Sequence, residues 1–325
     1  MKNLIKISVA TTLSISLYAN NINEEIAAKE YDAQKLADII VKLNVMGDKS
    51  KKPNHHKGFC VSGVFKPDSN INEYFNIELF KQKSIPVNGR VSLGGGELND
   101  KSKARGLAIK LEGDNDNWTM VMLSNPINFA KTLKEFGYFH EMQLPDENGN
   151  VNKEKIKQAF SEVQSFKNFA EYTKNIGFSK SVANTQFYSV HTFFFDDKNN
   201  NKFPARWTFK PKDGVKFLSE EEIKTTSNDY LAKDFQEKIK NAPIEYELFF
   251  TLPNENDELY STNALWQGEH KQIFAGTLQL TQYNGLDCNL DVYFPWDMAK
   301  GVYEPKDELF IPRNEAYVIT FGYRQ

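Results

Sequence analysis

Apolar side chains recur at every second position in five runs of this chain, the period of half-buried strands. The runs pass through Phe59, Val61, Gly63 and Phe65; through Leu107, Ile109 and Leu111; through Trp118, Met120 and Met122; through Ile244, Tyr246, Leu248, Phe250 and Leu252; and through Phe274, Gly276, Leu278 and Leu280. The second and third lie on either side of a turn at 113–117. Elsewhere the period lengthens to that of a helix. Residues 24–43 place Ile26, Leu36, Ile39, Ile40 and Leu43 on one face. Residues 128–139, 153–173 (with a break) and 234–240 also suit helices, and a last helix opens at Pro312, whose missing N–H costs nothing in a first turn. No repeat or linker divides the pattern. It predicts one α+β domain over residues 20–325, built on an antiparallel barrel with inserted and C-terminal helices.

The first residues read differently. Lys2 and Lys6 precede an apolar, hydroxyl-rich stretch at 7–18, and Ala19 suits cleavage although Leu17 is imperfect two positions earlier. Residues 1–19 are therefore expected to be a signal peptide and the protein to be exported, in a Gram-negative cell to the periplasm. No later stretch has the ~18 apolar residues of a membrane span. A formal net charge of −3 leaves no phosphate-neutralising excess and argues against nucleic-acid binding. Twenty-five Phe and fourteen Tyr favour strands and an aromatic-lined cavity. The two cysteines, Cys60 and Cys288, suit either one disulfide or two small buried residues, and both readings stay open.

Three segments carry candidate chemistry. Asn54-His55-His56-Lys57-Gly58 stands directly before a strand. Arg90-Val91-Ser92 and Arg105-Gly106-Leu107-Ala108-Ile109-Lys110 put cations on strands. Near the end, Arg313 and Tyr317 are four apart and share a helix face. A cation beside a phenol favours the phenolate, a good ligand for ferric iron. Each segment by itself has an ordinary reading as a loop histidine, a surface ion pair or helix packing.

In their order and spacing these segments resemble the catalase family over about residues 45–325. His55-His56-Lys57-Gly58 is similar to the family's His-Ala-Lys-Gly, and Arg90-Val91-Ser92 to its Arg-Phe-Ser. Arg105 to Lys110 resembles Arg-Gly-Phe-Ala-Val-Lys, while Asn117-Trp118, Pro126, Phe129 and Phe136 fall at family positions. Tyr188-Ser189-Val190-His191-Thr192-Phe193 looks like a strand reading Tyr-Gly-Ser-His-Thr-Phe, and Arg313 to Tyr317 like the proximal Arg-x-x-x-Tyr. Short catalase-related peroxidases are the nearer likeness. The resemblance implies a haem b site with Tyr317 as iron ligand and Arg313 beside it. It implies His55 as distal acid–base, Ser92 as the support of its imidazole, and Arg90 with Lys52 for the propionates. It further implies that Phe136 packs against the porphyrin, with Phe129 and Asn54 also at the cofactor. Hydrogen peroxide and a small organic reductant are the implied partners.

The departures matter as much. Counting back from Pro126 places Leu123 where true catalases hold an asparagine near the distal histidine. Losing that donor should weaken the second, peroxide-oxidising half of a catalase cycle and leave peroxidase activity. Lys52 stands for an arginine, Asn54 for an apolar residue, and Arg324 is too loosely placed to count as a further cation at the site. The alternatives are a non-catalytic haem-binding barrel, a lipid-hydroperoxide dehydratase or isomerase similar to allene oxide synthase, and a haem-free ligand-binding barrel. Neither the electron donor nor the oligomeric state is legible.

Overall fold

The computed structural model describes residues 21–325, so the signal-peptide reading of 1–19 lies outside the described residues. Eight antiparallel strands close on themselves in the order β1 (Gly58–Pro67), β2 (Ile85–Leu93), β3 (Arg105–Glu112), β4 (Asn117–Leu123), β5 (Phe187–Tyr188), β7 (Lys202–Pro211), β8 (Ile244–Thr251), β9 (Gln272–Tyr283) and back to β1. Two further strands, β6 (Phe193–Asp196) and β10 (Val302–Tyr303), extend outward from the first half of β7.

The period-two runs predict the barrel because most of their apolar members fill it; Phe274 is the exception, since a register shift between Leu248 and Phe249 puts Ile273 and Ala275 inward instead. Val61, Phe65, Leu107, Ile109, Leu111, Trp118, Met120, Met122, Tyr246, Leu248, Phe250, Leu278 and Leu280 are all buried in one cluster. Alternation survives in the burial of β8, where every second residue points inward. The Tyr188–Phe193 segment departs from expectation. It is not one strand: β5 stops at Tyr188, the chain turns through Val190 at φ 64°, and β6 resumes at Phe193 on the same partner β7.

Outside the barrel, a second apolar cluster is made by helices. The helix expected over 24–43 is two, α1 (Ile22–Ala28) and α2 (Ala33–Val45), because Asp32 caps the second through the backbone N–H of Lys35. The helix expected over 128–139 begins later, as α3 (Leu133–Glu141), where Thr132 and Glu135 form a reciprocal capping box. The expected break in 153–173 falls at Val163, between α4 (Lys153–Glu162) and α5 (Gln164–Lys174). After α6 (Glu220–Thr225) and α7 (Leu231–Ile239), the chain ends in α8 (Phe310–Gly322), with Pro312 in its first turn, packed against α2. Cys60 and Cys288 are joined in a disulfide across 228 residues, which decides the alternative left open above. Among the described residues no helix is long and apolar enough to cross a membrane.

Candidate functional site

The interior of the barrel wall and the inner face of α8 enclose three adjoining chambers, and Tyr317 lines all of them. The largest, about 630 Å³, is bounded by Lys52, Asn54, His55, Arg90, Ser92, Val121, Tyr293 and Arg324. A second, about 350 Å³, reaches Phe136, Arg313 and the α2 residues Leu36 and Ile40. The third, about 470 Å³, reaches Val121, Leu123, His191 and Phe310. Segments more than 250 residues apart in sequence, the loop before β1 and α8, thus face one space.

His55 sits in that space with φ 52°, a left-handed conformation that costs a non-glycine residue energy and is characteristic of sites where geometry outranks comfort. Its Nδ1 is 3.0 Å from the Ser92 hydroxyl. The carboxamide oxygen of Asn54 accepts the His55 backbone N–H at 3.1 Å. A methyl group at Gly106 would lie 2.7 Å from Ser92 Oγ and 2.8 Å from His55 Nδ1, so glycine there is what leaves room for the pair. Burial, reinforced by the charges of Arg90, Lys52 and Arg313, pushes the imidazole down to about 3. It is a neutral base at ordinary pH. The neighbouring His56 turns its Nδ1 to the Lys52 carbonyl at 2.8 Å and does not line these chambers.

Opposite, Tyr317 takes a hydrogen bond from Arg313 Nη2 at 3.4 Å. Arg313 Nη1 donates to His191 Nε2 at 3.0 Å, and His191 Nδ1 meets Asp307 at 2.7 Å. Since a guanidinium only donates, Nε2 is the accepting nitrogen and Nδ1–H donates to Asp307. Burial raises Asp307, but interaction with His191 outweighs it and holds the carboxyl below the usual range. The row Asp307–His191–Arg313–Tyr317 therefore ends with a cation fixed at a phenol. In the sequence its last two members carry a role and His191 has only a place in a matching segment; Asp307 carries no signal. His191 reaches the row because the chain turns at Val190 before β6, a feature without local signal for a β-branched residue.

At the far end of the largest chamber stand Lys52, Arg90 and Arg324, none of them in an ion pair among the described residues. Burial, then the charges of Arg90 and Arg324, lowers Lys52 to about 7, and burial lowers Arg90 to about 10. Each is under-compensated and suits an anion entering the cavity. Arg90 is almost fully buried, held by Asn289 Oδ1 at 2.7 Å and by the carbonyls of His55 and His56 at 2.8 and 3.2 Å. Its guanidinium fits because Gly58 has no side chain; a Cβ there would lie 2.6 Å from Arg90 Cζ. Arg324, set aside in the sequence reading, is brought in after all. Arg313, Tyr317, Thr320 and Arg324 follow one helical face, and that spacing was the available signal.

One expectation needs correction and one holds. Phe136 lines the chamber beside Tyr317, but Phe129 does not line any of the three; it packs behind, its ring 5.1 Å from Phe136 and 3.8 Å from Phe139. At Leu123 the wall is apolar, and no neighbour replaces the missing amide. Ser124 spends its hydroxyl on Arg105 N–H and the Lys103 carbonyl, and Asn125 is buried away from the chambers.

The donor set fits a haem: a phenol flanked by a fixed cation, a neutral imidazole across the space, an aromatic wall, and three cations awaiting carboxylates at one end. Comparison with known proteins agrees. The sequence pattern of the Catalase family matches residues 49–282, more than half of the chain. The chain belongs to the catalase family. It is 27% identical over 283 residues to a catalase-related peroxidase of Synechococcus elongatus, covering 84% of this chain and 83% of that one. It is 25% identical to a peroxisomal catalase of Toxoplasma gondii and 24% to catalase A of Pseudomonas putida, spanning only 58% and 61% of their lengths. A fungal catalase structure superposes with TM-score 0.74 at 19% identity over 84% of this chain and 59% of the other. Catalase A from Saccharomyces cerevisiae gives 0.70 at 19% identity over 84% and 61%. These catalase structures share the barrel and its helices with this member of the family.

Proposed function

We propose that this catalase-family protein is a haem b-dependent peroxidase that reduces hydrogen peroxide with small organic donors and has weak catalase activity. The observation that carries the reading is the pairing of Tyr317, backed by Arg313 and His191, with the neutral His55 across the same chambers. When bound, haem supplies the iron that accepts peroxide and the redox chemistry that splits it.

The chain's own residues do the rest. Tyr317 would hold the iron through its phenol oxygen, and Arg313 stabilises negative charge there. His55 acts as base only if Nε2 is unprotonated, so Nδ1–H donates to Ser92, which fixes that tautomer. With that tautomer set, Nε2 would be free to accept a proton from bound peroxide and to give it back to the oxygen that leaves as water. Lys52, Arg90 and Arg324 would hold the haem carboxylates, and Phe136 would pack against the ring. Leu123 offers no hydrogen bond to orient a second peroxide as reductant, which supports the peroxidase over the catalase reading. The same apolar wall motivates a second reading, a lipid-hydroperoxide dehydratase.

Hemin-loaded protein mixed with one equivalent of peroxide should change its Soret band, then oxidise a dye donor faster than it evolves oxygen. Faster turnover of a fatty-acid hydroperoxide would favour the second reading, and an unresponsive spectrum a haem-binding barrel. We also propose export to the periplasm, supported by the leader-like residues 1–19 and by a disulfide that persists in oxidising compartments. N-terminal sequencing of the protein from a periplasmic fraction checks it.

A further inference from the structure

The three cations at one end of the cavity share a feature that the reaction does not explain. Each is oriented by a short segment directly after Cys288. Asn289 accepts from Arg90 Nε through its side chain at 2.7 Å and from Arg324 Nη1 through its carbonyl at 3.3 Å. Its amide group donates to the Gly58 carbonyl at 3.3 Å. The Asp291 carbonyl takes the Lys52 ammonium at 2.8 Å, and Val292 and Tyr293 line the chamber itself.

Little else holds this segment. Leu286 and Leu290 are 58% and 76% exposed, and among the described residues its turn Asp287–Asn289 contains no buried residue. What does hold it is β1. Cys60 exchanges backbone hydrogen bonds with Gly285 and Asn284, each 2.9 Å, and its sulfur is bonded to Cys288. Cys60 lies on the strand that begins at Gly58, directly after the His55 loop.

We propose that the Cys60–Cys288 disulfide and Asn289 form a strap that positions Lys52, Arg90 and Arg324 for the two carboxylates of the bound haem, so that opening the disulfide loosens cofactor retention. Asn289 is a positioning residue: it acts through the arginines and needs no contact with the cofactor. The inference rests on the haem reading and concerns the carboxylate end, not the iron ligand. A crosslink matters here because a surface segment with few apolar contacts opens readily unless it is tied.

The test measures transfer of hemin, and separately of hemin dimethyl ester, from the loaded protein to excess apomyoglobin. The wild type is compared before and after reduction with a phosphine, with thiols counted, and with Cys60→Ser/Cys288→Ser and Asn289→Ala. Reduction and each substitution should speed hemin loss by roughly tenfold, the scale of losing one hydrogen bond to a charged group. Loss of the ester, whose carboxylates are masked, should not change. Equal acceleration of both porphyrins would mean general loosening and overturn the strap, as would unchanged hemin loss in fully reduced protein. Reduced wild type decides the matter if the double variant does not fold. Protein that takes up neither porphyrin overturns the haem reading and the strap with it; protein that binds hemin but ignores reduction overturns the strap alone.

Discussion

At the scale of single residues, the site separates groups by the charge they can carry. His55 is kept neutral by burial and by three nearby cations, down to about 3. Its base form is therefore present across the ordinary range, and the rate of reaction with peroxide should stay flat from pH 8 to about 5. His55→Ala should retain hemin yet slow that reaction by about 10² to 10⁴, the usual worth of a positioned base; stopped-flow absorbance checks both. If His56→Ala has the larger effect, the distal assignment is wrong. Lys52 behaves in the opposite sense. In the empty cavity it loses its proton near pH 7, and a carboxylate partner would raise it toward the usual lysine value. Hemin uptake then takes up a proton between about pH 7 and 10, so affinity should fall as pH rises through that window. Titrations at several pH values should show the slope in the wild type and a flatter one in Lys52→Met. Tyr317→Phe removes the phenol oxygen and should abolish the ferric phenolate spectrum, with hemin binding severely weakened.

At the scale of elements, strands and helix supply different halves of the site. β2 carries Arg90 and Ser92 to the cavity, and β3 opposes them with Gly106 paired to Ser92. The close packing of His55, Ser92 and Gly106 predicts that Gly106→Ala displaces the imidazole. Peroxide reaction should fall while hemin binding, whose ligands lie on α8 and at the basic end, changes little. The same measurements, with hemin affinity as control, check it. β4 ends in the apolar Leu123. Leu123→Asn should raise oxygen evolution relative to dye oxidation if the missing hydrogen-bond donor limits catalase turnover; no change in an oxygen-electrode assay would place that limit elsewhere. α8 arrays Arg313, Tyr317 and Thr320 along one face, with Arg324 just past its end.

At the scale of the whole molecule, the barrel and the helical cluster are separate apolar cores, and the candidate site lies where α8 meets the barrel wall. Period-two alternation was enough to read β1, β3, β4, β8 and β9, because every second side chain points into the barrel over most of each strand, although only β8 alternates in burial from end to end. The short β5, β6 and β10 were not legible: two- and four-residue strands carry no period, and their pairing follows from the turn at Val190. Helix ends moved where capping by Asp32 and Thr132 outranked apolar spacing. Of the site, the ligating and acid–base candidates stood out by motif order. His191 stood in a matching segment but without a role, and Asp307 and Asn289 did not stand out at all, since each acts by touching another side chain far away in sequence.

The chain's order of residues alone determined most strand faces and the final helix, which follow from local period, while the cavity residues were legible through the resemblance of ordered motifs to the catalase family. Only the folded arrangement decided that Phe129 stands behind Phe136, that Arg324 joins the basic end and that Cys60 meets Cys288. Those outcomes depend on contacts between distant segments, which no local pattern encodes.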